Sequence, residues 1–578
     1  MPDDSANSVR AALARGDLLA AYDGARAHTP PTPDLKYLEV LTLARLGDTA
    51  RALRLYGEYG LEATGDVDAL SLKARLLKDQ AFSAGTLDRG KLSEACRLYA
   101  SVFRRTRSSY PAINAAALAQ MAARPRLAAR LARAATHAVA AEGREDYFSH
   151  ATLAEGRMIL GDLAGARTAL DQAICAPDAD VGARSTTYLQ FQRLISAIGA
   201  SAEIEALLEP IRPPRVAMFC GNIFVADPQV EAPLAEAVRA AIADEQIGFA
   251  YGALAAGSDI LIAEQLIAAG AEVHVVLPFA EADFLEQSVA PGGDEWLRRY
   301  AFCRSHAASV TVASNMSYVG EMGQFAYGSK VTMGMARLRA RHLNGEAIQL
   351  AIVEERGQGT LSGTDIVAWG ATGGRSVVVK GPPFTRPKMP PPPASSTVAR
   401  GTYGLMFTDF PGFTTLDERV LPIFWEEVMG RAAVTLERYA DVIRHGSTWG
   451  DALYVVFDSA AAAAAAALDL SDQFSKVNCQ ALGVPDGTAM RIALHYGATY
   501  SARDPLTGRP TYYGTEVSRT ARIEPVTPGG SVYVTEPFAA VLEMEGGPRF
   551  LCSYVGRTAL AKGYGVYPLY RLKRATGE

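Results

Sequence analysis

From the first residue to about Pro210, apolar residues recur every three or four positions with few β-branched runs, as in LEVLTLARLGDTARALRLYGEYG. That spacing predicts an all-helical region over 1–210. Three stretches in it look alike: ARGDLLAAYDGA from Ala14, ARLGDTARALRLY from Ala44 and MILGDLAGARTALDQAI from Met158. Each sets a Gly-Asp at the turn before a helix whose small alanines let a neighbouring helix approach closely. Near Arg212 the pattern changes. RVAMFCGNIF is a short apolar strand ending in Gly221-Asn222, and EAPLAEAVRAAIADE behind it is an amphipathic helix. FAYGALAAGSDILIAEQLIAAGAEVHVVLPF then repeats strand, glycine turn, helix and strand. This alternation predicts a Rossmann-like α/β domain over 212–380, a parallel sheet with helices on both faces. Residues 381–400 are rich in proline and read as an extended, poorly packed, semi-rigid linker that permits relative motion. Over 401–578, TYGLMFTDFPGFTTL, STWGDALYVVFDS, MRIALHYGATY and TYYGTEVSRTARIEPVTPGGSVYVTE alternate with helices. The order predicts an α+β domain of βααβββαβ type with a mainly antiparallel sheet.

The chain has 578 residues, is 49% hydrophobic and 21% charged, and carries a net charge of -5 without any long run of lysines or arginines. It offers no electrostatic footprint for nucleic acid or an anionic membrane. The start, MPDDSANSVR, lacks the basic and apolar regions of a leader, and the longest low-charge apolar run, the alanine tract around Ala460 to Leu470, is far shorter than the ~20 residues that span a bilayer. A cytoplasmic location without membrane attachment is expected. Cys96, Cys175, Cys220, Cys303, Cys479 and Cys552 lie far apart with no CxxC pair, which argues against a zinc site or a disulfide framework.

In a parallel sheet of this kind ligands bind beyond the carboxyl ends of the strands. Gly221, Asn222, Gly252, Gly257, Ser258 and Asp259 are gathered there, where a phosphate or nucleotide would sit. The same glycines also serve the tight turns that any such sheet needs.

Three resemblances follow from these residues. The Gly-Asp stretches are similar to tetratricopeptide repeats, and SVFRRTRSSYPAINAAALAQM, Ser101 to Met121, resembles the helical TRAF-binding region of apoptosis-signal-regulating kinases; both imply a protein partner for the helical region. GALAAGSDILIAEQLIAAGAEVHVVLPF resembles the SLOG and lysine-decarboxylase-like superfamily over Pro214 to Lys380, which implies a nucleotide-like ligand. The PGGxGTxxE loop of that superfamily is missing, so cleavage is not implied.

From Gly404 to Lys573 the chain resembles class III adenylate and guanylate cyclase domains. The FxDxxGFT block is FTDFPGFT, Phe407 to Thr414; the xGD hairpin is WGDALYVVF from Trp449; the YGxxVNxAAR and PGxxxVS blocks are YGTEVSRTARIEPVTPGGSVYVTE. The resemblance implies conversion of a nucleoside triphosphate, with ATP favoured, to a 3′,5′-cyclic nucleotide and pyrophosphate. Negative charge must be neutralised on nucleophile, phosphate and leaving group. Two magnesium or manganese ions per site would be bridged by Asp409 and Asp451, with the Phe410 carbonyl as an extra ligand. Gly412, Phe413, Thr414 and Lys562 are expected at the phosphates. Arg522 matches the arginine that stabilises charge at the α-phosphate. Ser518 stands where the family orients ribose with asparagine. Ser447 and Thr511 replace the base-reading Lys/Asp pair of adenylate cyclases, and guanylate cyclases use Glu and Cys there. The family builds each site between two catalytic domains, which implies a homodimer. Two further readings stay open: a cyclase fold kept for signalling or nucleotide sensing, and a cyclase for pyrimidine triphosphates.

Overall fold

The computed structural model describes residues 2–82, 87–354, 361–391, 400–480, 482–484 and 488–575. They form two compact units, one within residues 2–214 together with Arg341–Gly345, the other within Arg215–Ala340 and Glu346–Ala575.

The first unit is helical from Pro2–Ala14 to Val181–Ile198. The repeated Gly-Asp pairs have a physical role. Gly16, Gly47 and Gly161 take φ of +71°, +80° and +85°, a left-handed conformation that glycine adopts at no cost when it ends a helix. At two of the three turns the side chain of the aspartate that follows caps the next helix: Asp17 accepts the Ala20 amide at 3.1 Å and Asp162 the Gly165 amide at 2.9 Å, whereas Asp48 makes no such cap bond. Alanines fill the space between helices, with Ala112, Ala115, Ala116, Ala128, Ala132 and Ala135 fully buried. The Ser109–Met121 helix, the second half of the stretch that resembles a TRAF-binding region, lies inside this core.

The second unit holds two sheets. The first is parallel, in the order β4-β3-β2-β1-β5-β6: β1 Arg215–Gly221, β2 Ile247–Gly252, β3 Glu272–Leu277, β4 Ser309–Val312, β5 Ala347–Glu354 and β6 Arg375–Gly381. The order reverses between β1 and β5, the position at which such sheets open a crevice. The second comprises β7 Arg400–Asp409, β8 Ile443–Trp449, β9 Ala452–Phe457, β10 Arg491–Arg503, β11 Pro510–Tyr513, β12 Val532–Thr535, β13 Phe550–Ala559 and β14 Val566–Arg574. Its order is β13-β14-β12-β10-β7-β9-β8, with β11 beside β10. All its pairings are antiparallel except β10 with β12.

The two sheet domains are packed together. Ser314 donates to Glu516 at 2.8 Å, the Tyr327 hydroxyl to the Tyr496 carbonyl at 2.9 Å, and Lys330 to Glu545 at 2.5 Å. A Cβ added to Gly334 would fall 1.9 Å from the Ala540 carbonyl oxygen, so this helix-to-helix contact exists because position 334 is glycine.

The poorly packed linker is a correction for its described part. Phe384 is 8% exposed and stacks on Phe224 with ring centroids 4.6 Å apart, the Val225 amide donates to Thr385 at 2.9 Å, and the Phe384 amide to Glu354 at 3.0 Å. One buried aromatic side chain is enough to dock a proline-rich segment that has few amide donors of its own. Residues 392–399 of the linker lie outside the described residues. Among the described residues no helix is long and apolar enough to cross a membrane.

Candidate active site

Strand β7 ends at Asp409, and the chain turns at once through Phe410, which is buried against Phe424 with ring centroids 5.2 Å apart. Gly412 takes φ +86°, the Phe413 amide closes the turn on the Phe410 carbonyl at 3.2 Å, and the Thr415 amide returns to Gly412 at 3.0 Å. Beside it the β8–β9 hairpin turns at Gly450-Asp451, and β9 is held to β7 by the Leu453 amide donating to the buried Thr408 hydroxyl at 3.1 Å. The Phe410 amide donates to the Asp451 carboxylate at 3.3 Å. Two aspartates 42 positions apart in the chain thus meet at neighbouring strand ends. Burial and the adjacent Asp409 push the Asp451 carboxyl above its ordinary range, as two neighbouring negative charges do.

The sequence reading missed two neighbours. Arg491 lies opposite Asp409 in the β10–β7 register and donates to it at 2.6 Å, and it pairs with Glu524 at 2.6 Å. Glu524 is raised to about 7 by burial and by Asp409 and Asp451. Only strand pairing reveals this cluster, since the separations in sequence are 82 and 33 positions. Among the described residues no group of three or more His, Cys, Asp or Glu side chains could hold a metal. The candidate cation site is therefore the Asp409–Asp451 pair with the Phe410 carbonyl, an all-oxygen donor set that suits a hard divalent ion. That carbonyl keeps a second lone pair beside its bond to Phe413.

The remaining candidates fall on two other faces. In the Thr515–Ile523 helix, Glu516, Arg519, Thr520 and Ile523 are buried, leaving Ser518 and Arg522, one turn apart, on the outer side. The buried face is pinned by charge. Glu516 bonds Arg519 at 2.7 Å, His495 at 2.9 Å and Ser314 at 2.8 Å. Burial would raise its carboxyl, but these partners hold it near 2. Lys562 is exposed in the loop between β13 and β14, next to Tyr564, which donates to the Thr515 carbonyl at 3.1 Å. Ser447 on β8 and Thr511 on β11 share one sheet edge, where the His445 ring bonds the Pro510 carbonyl at 2.9 Å. Among the described residues no hydrogen bond or ion pair joins Ser518, Arg522, Ser447 or Thr511 to the aspartate pair.

The middle-domain candidates separate. Gly221, Asn222 and Asp259 line a cavity of about 670 Å³, whereas Gly257 and Ser258 do not. Gly257 packs its backbone under Phe224 at φ +93°, and the Ser258 side chain is fully buried behind Gly221. Gly252 is covered by the Phe219 ring. A second carboxyl, Asp365, lines the cavity and accepts from Ser329 at 2.9 Å. Burial raises Asp259 to about 7, with Asp365 adding to it, and burial raises Asp365 to about 6. Between their ordinary range and these values the folded state binds more protons than the unfolded one, so stability falls as pH rises through the window. Asp259→Asn is expected to remove part of that slope: its melting temperature relative to the parent should be higher at pH 8 than at pH 5, by several degrees. Calorimetry at the two pH values checks this, and an equal offset at both overturns it.

Comparison with known proteins bears on these sites. Residues 398–574 match the model of the Adenylate and Guanylate cyclase catalytic domain, and residues 16–119 that of Tetratricopeptide Repeats-Sensor. An adenylate cyclase of Schizosaccharomyces pombe is 43% identical over 56 residues, 10% of this chain and 3% of that protein. An adenylate cyclase of Podospora anserina is 25% identical over 168 residues, 25% of this chain and 8% of that protein. The chain thus spans under a tenth of the length of these curated relatives. The crystal structure of the adenylyl cyclase CyaB from P. aeruginosa aligns at a TM-score of 0.27 and 17% identity, over 31% of this chain and 96% of that one. Residues 398–574 therefore belong to the adenylate and guanylate cyclase catalytic domain family, behind a helical region of the tetratricopeptide repeat-sensor type.

Proposed function

We propose that residues 398–574 convert a nucleoside triphosphate to a 3′,5′-cyclic nucleotide and pyrophosphate, in sites shared between two copies of the chain and regulated by the preceding domains. The observation that carries the proposal is the convergence of Asp409 and Asp451 at adjoining strand ends inside the matched family domain. Two magnesium or manganese ions held there would activate the ribose 3′ oxygen and offset charge on the phosphates. The turn after Asp409 supplies the amides of Gly412 and Thr414 to the phosphates, since the Phe413 amide is already used within the turn. Arg522 and Ser518, on a face apart from the aspartates, would reach the α-phosphate and the ribose of the partner's site, and Lys562 lies in the loop beside their helix. Trp449, 70% exposed and two residues before Asp451, is an apolar surface of the kind subunit contacts cover. Purified protein given manganese or magnesium and each of the four triphosphates should release cyclic product and pyrophosphate. The relatives described as adenylate cyclases make ATP the first substrate to test. A second reading is a cyclase fold that binds nucleotide without turnover; Arg491, bonded to Asp409, favours it. Absence of product from all four triphosphates, with a triphosphate still bound in calorimetry, would establish that reading, and product from pyrimidine triphosphates alone would establish a pyrimidine cyclase.

Base choice should be loose. A Lys/Asp pair rejects the wrong base by leaving buried polar groups unpaired, whereas the hydroxyls of Ser447 and Thr511 rotate to donate or accept. Ser447→Lys combined with Thr511→Asp is expected to raise the ATP-to-GTP ratio of kcat/KM by at least about tenfold. A wild-type ratio already beyond about a thousandfold, roughly 4 kcal/mol, would mean that other residues read the base.

A further inference from the structure

The middle-domain cavity is built differently from a phosphate site. The Ala255 amide, which an entering anion would need, donates to the Asp259 carboxylate at 3.2 Å, and the Gly221 amide also stabilises that carboxylate. Among the described lining residues the one cation, Arg386, pairs with Glu354 at 3.3 Å. What remains is two carboxyls, Asp259 and Asp365, among the rings of Phe219, Phe284, Tyr318 and Phe325. Acceptors between aromatic walls suit a flat ring that carries N–H donors. A volume of about 670 Å³ lies in the range of small-molecule sites.

One wall of the cavity faces the cyclase domain on its other side. In the Met322–His342 helix, Phe325, Ser329 and Thr332 line the cavity, while Tyr327, Lys330 and Gly334 bear on Tyr496, Glu545 and Ala540. The spacings of these triplets place them on opposite faces of one helix. Ser329 is itself bonded to Asp365, so whatever engages that carboxyl acts on the helix. The Tyr327 hydroxyl also reaches the Ala313 carbonyl at 3.3 Å, next to Ser314, whose hydroxyl holds Glu516 under the outer face that carries Ser518 and Arg522.

We propose that this cavity is a regulatory site for an unphosphorylated nitrogen heteroaromatic, between a free nucleobase and a nucleoside in size, whose occupancy the Met322–His342 helix passes to the Thr515–Ile523 helix. The proposal rests on the reading of the middle domain as a ligand sensor, and narrows it by excluding the phosphate. Rigid packing transmits a small shift because Gly334 leaves no slack against Ala540.

The test uses the full chain and a panel of adenosine, guanosine, cytidine, uridine, their four free bases and their four monophosphates. At least one nucleoside or base is expected to bind in calorimetry below about 1 mM, at least about tenfold tighter than its monophosphate. Asp365→Asn should weaken it at least about tenfold, because the amide presents N–H where the ligand presents N–H. Asp259→Asn should do the same. Binding should slow amide exchange across Thr515–Ile523 by about threefold or more. The double variant Ser314→Ala with Lys330→Ala should bind equally well and lose that slowing. No binding by any nucleoside or base, tighter binding by monophosphates, indifference to both aspartate variants, or binding that leaves the exchange of Thr515–Ile523 unchanged would each overturn the proposal. Turnover is not measured in any arm, so a silent cyclase domain leaves the test intact, and failure here leaves the cyclase reading intact.

Discussion

Alanine at Asp409 or at Asp451 is expected to lower kcat by at least about a thousandfold, with thermal stability almost unchanged. The two carboxylates form the hard-oxygen pair that the family resemblance assigns to divalent cations. Each variant leaves a single carboxylate where the chemistry must offset charge on nucleophile, phosphate and leaving group. The cost to the fold is small for a physical reason. Asp451 is held above its ordinary carboxyl range by burial and by Asp409, so removing either charge relieves repulsion. Against that stand the Phe410 amide bond to Asp451 at 3.3 Å and the Arg491 bond to Asp409 at 2.6 Å, partly exposed contacts whose combined loss costs on the order of 1 kcal/mol. Steady-state rates and melting temperatures of both variants check this together. A variant that keeps more than a few per cent of parental activity would remove the two-aspartate assignment, and one that unfolds would show the pair to be structural.

The second large effect is complementation. Asp451→Ala and Arg522→Ala are each expected to be inactive alone, and an equimolar mixture should recover about one quarter of parental activity. Random exchange makes half of the dimers mixed, and each mixed dimer carries one site with both defects and one with neither. The reason to expect shared sites is visible in one copy: Ser518 and Arg522 project from the outer face of a helix whose other side is locked by Glu516, Arg519 and Ile523. No described hydrogen bond or ion pair connects them to Asp409 or Asp451. Native mass spectrometry on the mixture establishes that exchange has occurred. A mixture that contains mixed dimers yet stays at baseline would mean that the aspartates and Arg522 act within one copy.

Much of the fold was legible because it is written in local spacing. The glycines at 16, 47 and 161 announce helix ends through their backbone, and Asp17 and Asp162 announce the next start through capping. The alternation after Arg212 marked a parallel sheet because each strand needs a crossover to return. The linker was misread because composition speaks of chain stiffness, whereas the docking of Phe384 depends on a partner, Phe224, 160 positions earlier. Gly257 and Ser258 looked like ligand residues for the converse reason: a glycine turn at a strand end has one sequence signature whether it faces a cavity or packs behind it.

The sequence by itself determined the order of the helical, parallel-sheet and mixed-sheet regions, and it singled out Asp409 and Asp451 as the pair on which the proposed chemistry centres. These follow from periodicity and from a motif whose residues lie close together in the chain. Tertiary structure alone decided that Arg491 and Glu524 flank that pair, and that Asp365 rather than Ser258 shares a cavity with Asp259. It also decided that the Met322–His342 helix has the cavity on one side and the cyclase domain on the other. The physical reason is the same in each case. Strand register and helix face bring together side chains tens to hundreds of positions apart, and a sequence pattern reports the face a residue prefers without naming what that face will meet.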